Sequence, residues 1–124
     1  MVKGVGIDII EVKRFSRILA ERKEKLLKRI FTDGELESCK MAANRLAGRF
    51  AAKEAFFKAL GTGFRGFKWQ DVEIKNNALG APHFLFSERL MLHLKDLGVT
   101  KVHLSISHCK EYAVAQVILE DVAG

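Results

Sequence analysis

Proline occurs once and cysteine twice in these 124 residues. So little proline leaves few enforced breaks, and most of the chain is free to form helices and strands. Cys39 and Cys109 stand far apart, with no Cys-x-x-Cys and no framework spacing. That excludes a disulfide scaffold and a Zn²⁺ site of clustered thiolates, and it fits a reducing, cytoplasmic compartment. The four histidines are scattered. No apolar run approaches a membrane span, and the N-terminal residues show no signal-peptide pattern. Without internal repeats, linkers or low-complexity stretches, residues 1–124 are expected to form one domain with its own core.

What the chain does have is concentrated charge. Residues 13–29 hold eight cations, among them Lys13, Arg14, Arg17 and Arg22, against Glu21 and Glu24. Their balance of +6 equals the formal net charge of the whole protein. Phe15, Ile18, Leu19, Leu26, Leu27 and Ile30 recur among them at helical spacing, so the stretch reads as a basic amphipathic helix. A solvated face explains such a stripe, and so does an anionic partner: nucleic acid, an anionic membrane surface or an acidic protein. No nucleic-acid reader motif accompanies it.

The element order follows from periodicity and caps. A β-branched strand over 4–10 precedes a helix over 12–29, and Thr32-Asp-Gly-Glu35 has the form of a capping box opening a second helix. A long helix runs from about 44 to 60 and stops at Gly61-Thr62-Gly63. Short strands at 72–75 and 83–86 follow, then a helix capped by Ser87 and closed by Gly98. Strands at 102–107 and 112–119 form a closing hairpin. Helices and hairpins are segregated, which predicts an α+β fold with an antiparallel sheet against the long apolar helix. That helix is apolar nearly all round, so part of it is expected to be buried between subunits of a homo-oligomer.

Two carboxylates sit awkwardly. Glu54 lies within about 60° of Ala47, Phe50, Ala51 and Phe57 on the long helix. A carboxylate in an apolar stripe is costly unless a cation meets it. One candidate is Lys58, as an i,i+4 ion pair. The other is a hard cation shared with Asp8, a poor strand former on the Gly6/Asp8/Ile10 face of the first strand, where Gly6 clears space for a close approach. Mg²⁺ suits two isolated carboxylates because it keeps several waters and takes substrate phosphates as well. Lys53, Arg49 and Lys58 are near enough in sequence to neutralise a phosphate substrate. The Gly61-Thr62-Gly63 run follows a helix, where the dipole end is negative, so a C-cap is its first role. For His108, a solvated turn histidine and an anion-binding one are both open. Trp69, Phe64 and Phe67 are expected to pack under a loop in preference to stacking on a base.

Four motifs carry a resemblance. Gly-Ile-Asp8-Ile-Ile-Glu11, Phe31-Thr32-x-x-Glu35-Leu36, the run Arg49-Phe-Ala-Ala-Lys53-Glu54-Ala-Phe-x-Lys58-Ala-x-Gly61-Thr62-Gly63, and Val102-His-Leu-Ser-Ile-Ser107-His108-x-Lys-Glu-Tyr-Ala are similar, in order and separation, to those of the bacterial holo-acyl-carrier-protein synthases. These are small 4′-phosphopantetheinyl transferases. The resemblance implies transfer of the 4′-phosphopantetheine arm from coenzyme A to a serine of apo acyl carrier protein, releasing adenosine 3′,5′-bisphosphate for fatty acid biosynthesis. It implies Asp8 and Glu54 as Mg²⁺ ligands and Lys58 on the pyrophosphate. Arg49, Ser107, His108 and the Gly61–Gly63 loop would contact the rest of coenzyme A. Arg14, and more loosely Lys13, Arg17 and Arg22, would meet the acidic carrier. A trimer with sites at subunit junctions is implied, with neither nucleic acid nor membrane as partner. The serine proton could pass to metal-bound water, to Glu54, or to Glu35 through water, in that order of preference.

Overall fold

The computed structural model describes residues 1–61 and 66–122, apart from the side chain of Lys23. Strand β1 (Val2–Glu11) runs directly into helix α1 (Val12–Ile30), followed by α2 (Asp33–Ser38) and α3 (Ala43–Leu60). A 3-10 turn at Trp69–Asp71 leads to β2 (Val72–Asn76) and β3 (Pro82–Phe86), then α4 (Glu88–Asp96), β4 (Lys101–His108) and β5 (Tyr112–Glu120). The expected elements are all present, with ends shifted by a residue or two, and the class is α+β. The strands do not form one sheet: β1-β5-β4 make an antiparallel three-stranded sheet and β2-β3 a separate hairpin. Asn77 ties that hairpin's loop through its own side chain, which accepts from the Leu79 and Ala81 amides.

α3 is the centre of the molecule, with eleven of its eighteen residues buried. One side takes the inner face of the three-stranded sheet. There Gly4, Gly6, Asp8 and Ile10 of β1 stand opposite Leu119, Val117, Ala115 and Ala113 of β5. The packing is unusually close. A Cβ on Gly6 would fall 1.9 Å from the Ala55 carbonyl oxygen, and one on Gly4 2.2 Å from that of Ala59. Only glycine lets the strand backbone rest on the helix backbone here. Another side of α3 receives the β2-β3 hairpin, where Phe56 meets Phe84 and Phe86 with ring centroids 5.4 and 4.9 Å apart. Each such ring buried contributes about 1.5–3 kcal/mol.

α1 and α2 cover the rest. Phe15, Leu27 and Ile30 of α1 are buried with Phe31 and Leu46, while Lys13, Arg14, Arg17 and Arg22 are exposed, as the amphipathic pattern requires. The α2 capping box forms as read: Thr32 Oγ1 accepts from the Glu35 amide and Glu35 Oε1 from the Thr32 amide. Among the described residues nothing covers the outer face of the three-stranded sheet. Val5, Ile7 and Ile9 are 55%, 59% and 64% exposed there.

Candidate active site

The close approach of β1 brings Asp8 to α3. Lys58 Nζ, one turn beyond Glu54, donates to Asp8 Oδ1 at 2.8 Å and to the Ile7 carbonyl at 3.2 Å. The direct partner of Lys58 is therefore Asp8, not its helical neighbour Glu54. Burial pushes the Glu54 carboxyl above its ordinary pKa, the Asp8 charge pushes it further, and Lys58 pulls it back. The Lys58 ammonium is raised, first by its hydrogen bond to Asp8. Asp8 Oδ2 is buried and has no hydrogen-bond partner among the described residues. Two carboxylates that repel each other, one with an unfilled buried oxygen, make a hard donor set that fits a small divalent cation retaining its waters. Among the described residues no group of three or more His, Cys, Asp or Glu could hold a metal. That leaves the pair, the number Mg²⁺ typically takes from protein.

Other expected helpers lie elsewhere. Lys53 cannot reach a phosphate: its amine is fully buried, 2.7 Å from Glu35 Oε1. Glu35 is just as inaccessible as a proton acceptor. Its Oε1 takes the Thr32 amide and Lys53, and its Oε2 takes the Ile74 amide. Both residues serve the interior. Arg49 points about 140° around α3 from Glu54. It lines an open cavity of about 390 Å³ together with Arg45, Asn76, Gly80, Pro82 and His108, among others. Arg49 is 8% exposed, and its Nη2 donates to Asn76 Oδ1 at 3.0 Å. Its Nε is buried with no partner among the described residues. A buried guanidinium with a spare donor, a second arginine and a histidine define an anion-accepting recess.

The structure thus brings together Asp8, Glu54 and Lys58, and separately Arg49 and His108. Ser107, next to His108, is on the outer face of the sheet, because successive strand residues alternate. Gly61 caps α3 in the left-handed conformation at φ 76°, its amide bonded to Lys58 O. Thr62 and Gly63, like Phe64 and Arg65, lie outside the described residues. Trp69 packs on Phe50 at 5.2 Å, as expected. Arg45, Asn76, Gly80 and Pro82 were not signalled by sequence spacing. Only folding places two residues of α3 beside the far end of a hairpin.

On α1 Arg14, with Glu11 before the helix, lines a largely apolar groove of about 390 Å³ that has Phe15, Ile18, Phe50 and Tyr112 in its walls. A cation beside an apolar trough suits an acidic, amphipathic partner helix.

A carboxylate pair across the joint of strand and central helix could hold a divalent cation, and the separate recess could accept an anion. Residues 4–117 match the family model of the 4′-phosphopantetheinyl transferase superfamily, and the chain belongs to that family. The holo-acyl-carrier-protein synthase of Trichlorobacter lovleyi is 48% identical over 124 residues, covering 97% of this chain and 98% of that protein. The crystal structure of the Neisseria meningitidis holo-acyl-carrier-protein synthase superposes with a TM-score of 0.90 at 39% identity, over 97% of this chain and 99% of the other. That of the Helicobacter pylori synthase in complex with coenzyme A gives 0.85 at 30% identity, over 94% and 99%.

Proposed function

We propose that this protein transfers the 4′-phosphopantetheine arm of coenzyme A to a serine of apo acyl carrier protein, releasing adenosine 3′,5′-bisphosphate, in the cytoplasm and in support of fatty acid biosynthesis. The convergence of Asp8 and Glu54 across the β1–α3 joint, with Lys58 between elements, carries this reading. Asp8 and Glu54 would hold Mg²⁺, which supplies charge neutralisation for the pyrophosphate and for the leaving bisphosphate. Lys58, with a side chain 53% exposed, is free to exchange Asp8 for a pyrophosphate oxygen. With Glu35 enclosed, the serine proton would pass to water at the site or to Glu54.

The Arg49–His108 recess would receive the nucleotide end of coenzyme A, while Gly61, Thr62, Gly63 and Ser107 would contact coenzyme A from outside that recess. None of the recess residues is Asp8, Glu54 or Lys58. In the trimer that the family resemblance implies, the recess of one copy would complete the acidic pair of another, so that one substrate touches both. The uncovered Val5-Ile7-Ile9 face supplies an apolar surface for such a contact, and a homotrimer of single-domain subunits is the assembly proposed. Lys13, Arg14, Arg17 and Arg22 on α1 would receive the acidic carrier over the groove beside them. Neither nucleic acid nor membrane is a partner in this scheme.

Incubation with coenzyme A, Mg²⁺ and apo carrier protein, read by mass spectrometry, tests it directly. Appearance of the phosphopantetheine mass on the carrier is the expected result. A carrier that keeps its apo mass would refute the transferase reading.

A further inference from the structure

α1 offers the docking face and α3 carries Glu54, so the setting of one helix against the other decides where a docked serine arrives. Two side chains fix that setting at the last turn of α1. Lys53 Nζ donates to the Ile30 carbonyl at 2.7 Å, to Glu35 Oε1 at 2.7 Å and to the Trp69 carbonyl at 3.1 Å. Three acceptors use all three of its protons. Gln70 Nε2 donates to the Lys28 carbonyl and, at 2.9 Å, to that of Phe31. Lys28, Ile30 and Phe31 supply carbonyls from the end of α1, where a helix lacks internal donors and its dipole is negative. Lys53 immediately precedes Glu54 in α3.

A buried ion pair is costly, and apolar residues of similar volume commonly fill such space at equal or greater stability. What an apolar filler could not do is grip carbonyls on α1 and the 3-10 turn while held by α2. We infer that Lys53 and Gln70 are positioning residues, Lys53 clamping the C-terminal turn of α1 onto the helix that carries Glu54 and Gln70 bracing the same turn from the 3-10 turn that Lys53 also holds, so that a docked carrier presents its serine at the Asp8–Glu54 pair. This deepens, and rests on, the transferase reading above.

The test separates presentation from docking. In E35Q/K53M the pair is neutralised on both sides, and the single amide oxygen of Gln keeps an acceptor for one of the Thr32 and Ile74 amides, which Glu35 meets with different oxygens. The expected result is a kcat lowered about tenfold, with the carrier KM and the coenzyme A Kd within about twofold of wild type. Q70A should move kcat in the same direction by less. An unchanged kcat in folded E35Q/K53M, or a raised carrier KM at unchanged kcat, overturns the clamp. Should E35Q/K53M fail to fold, Q70A decides by the same criteria. Wild-type protein runs alongside: absence of transfer there overturns the transferase reading, whereas transfer by wild type with undiminished kcat in the variants overturns the clamp alone.

Discussion

Lys58 and Asp8, fifty residues apart in sequence, meet at 2.8 Å across the joint between α3 and β1. Their contact leaves Glu54 facing a second carboxylate with only indirect relief from the lysine. A divalent cation would resolve that repulsion, so Mg²⁺ should stabilise the folded protein. Ligand at a hundred times its Kd adds about 2.7 kcal/mol, enough to raise the melting temperature by several degrees. Thermal melts with and without Mg²⁺ should show the rise in wild type and lose it in D8N and in E54Q.

The same two variants should keep the fold by circular dichroism and lose transfer by about a hundredfold or more, as expected for groups that stabilise transition-state charge. Either protein transferring at wild-type rate under limiting Mg²⁺ would remove Asp8 or Glu54 from the mechanism.

Reversing Arg14 and Arg17 to Glu leaves the buried side of α1 intact but inverts the field over its groove. The carrier KM should rise about tenfold or more, most clearly at low salt, with the coenzyme A Kd unmoved. Steady-state kinetics and calorimetry check both arms, and an unchanged KM would make the basic stripe a solvated face.

Much of this was legible beforehand. The period of α1, the Thr32–Glu35 capping box, the Ser87 cap and the glycine stop of α3 are local signals, and each element formed where those signals lay. The pairing of β1 with β5 was not legible, because nothing local links residues 2–11 to 112–120. Nor was the destination of Lys53. At residue 53 a cation beside Glu54 reads as a phosphate ligand, and only the arrival of Glu35, Ile30 and Trp69 from other segments turns it inward. Arg49 follows the same logic, its partner Asn76 lying on a hairpin that sequence places without docking.

Because its amine is fully buried, Lys53 is expected to tolerate substitution poorly. K53M alone strands the Glu35 charge and should cost about 3–5 kcal/mol, whereas E35Q/K53M, which removes that charge but leaves one amide and two carbonyls each short of one partner, should recover part of that loss. Urea denaturation of the three proteins measures both differences.

Ile7→Lys tests the outer sheet face. Wild type should behave as a trimer in light scattering, and the variant as a monomer with little transfer, since a charge in an apolar contact is left without solvent or partner. A variant that remains trimeric would place the association surface elsewhere.

β1 puts Asp8 on one surface and a greasy Val5-Ile7-Ile9 row on the other, so sliding it by a single position would swap the two. The bare positions at 4 and 6 forbid that error. In the slipped alignment Val5 would have to occupy space that the Ala55 and Ala59 oxygens leave only for a hydrogen atom. Two missing methyl groups thus act as a proofreading device for strand alignment, permitting the one threading in which acid faces helix and grease faces out.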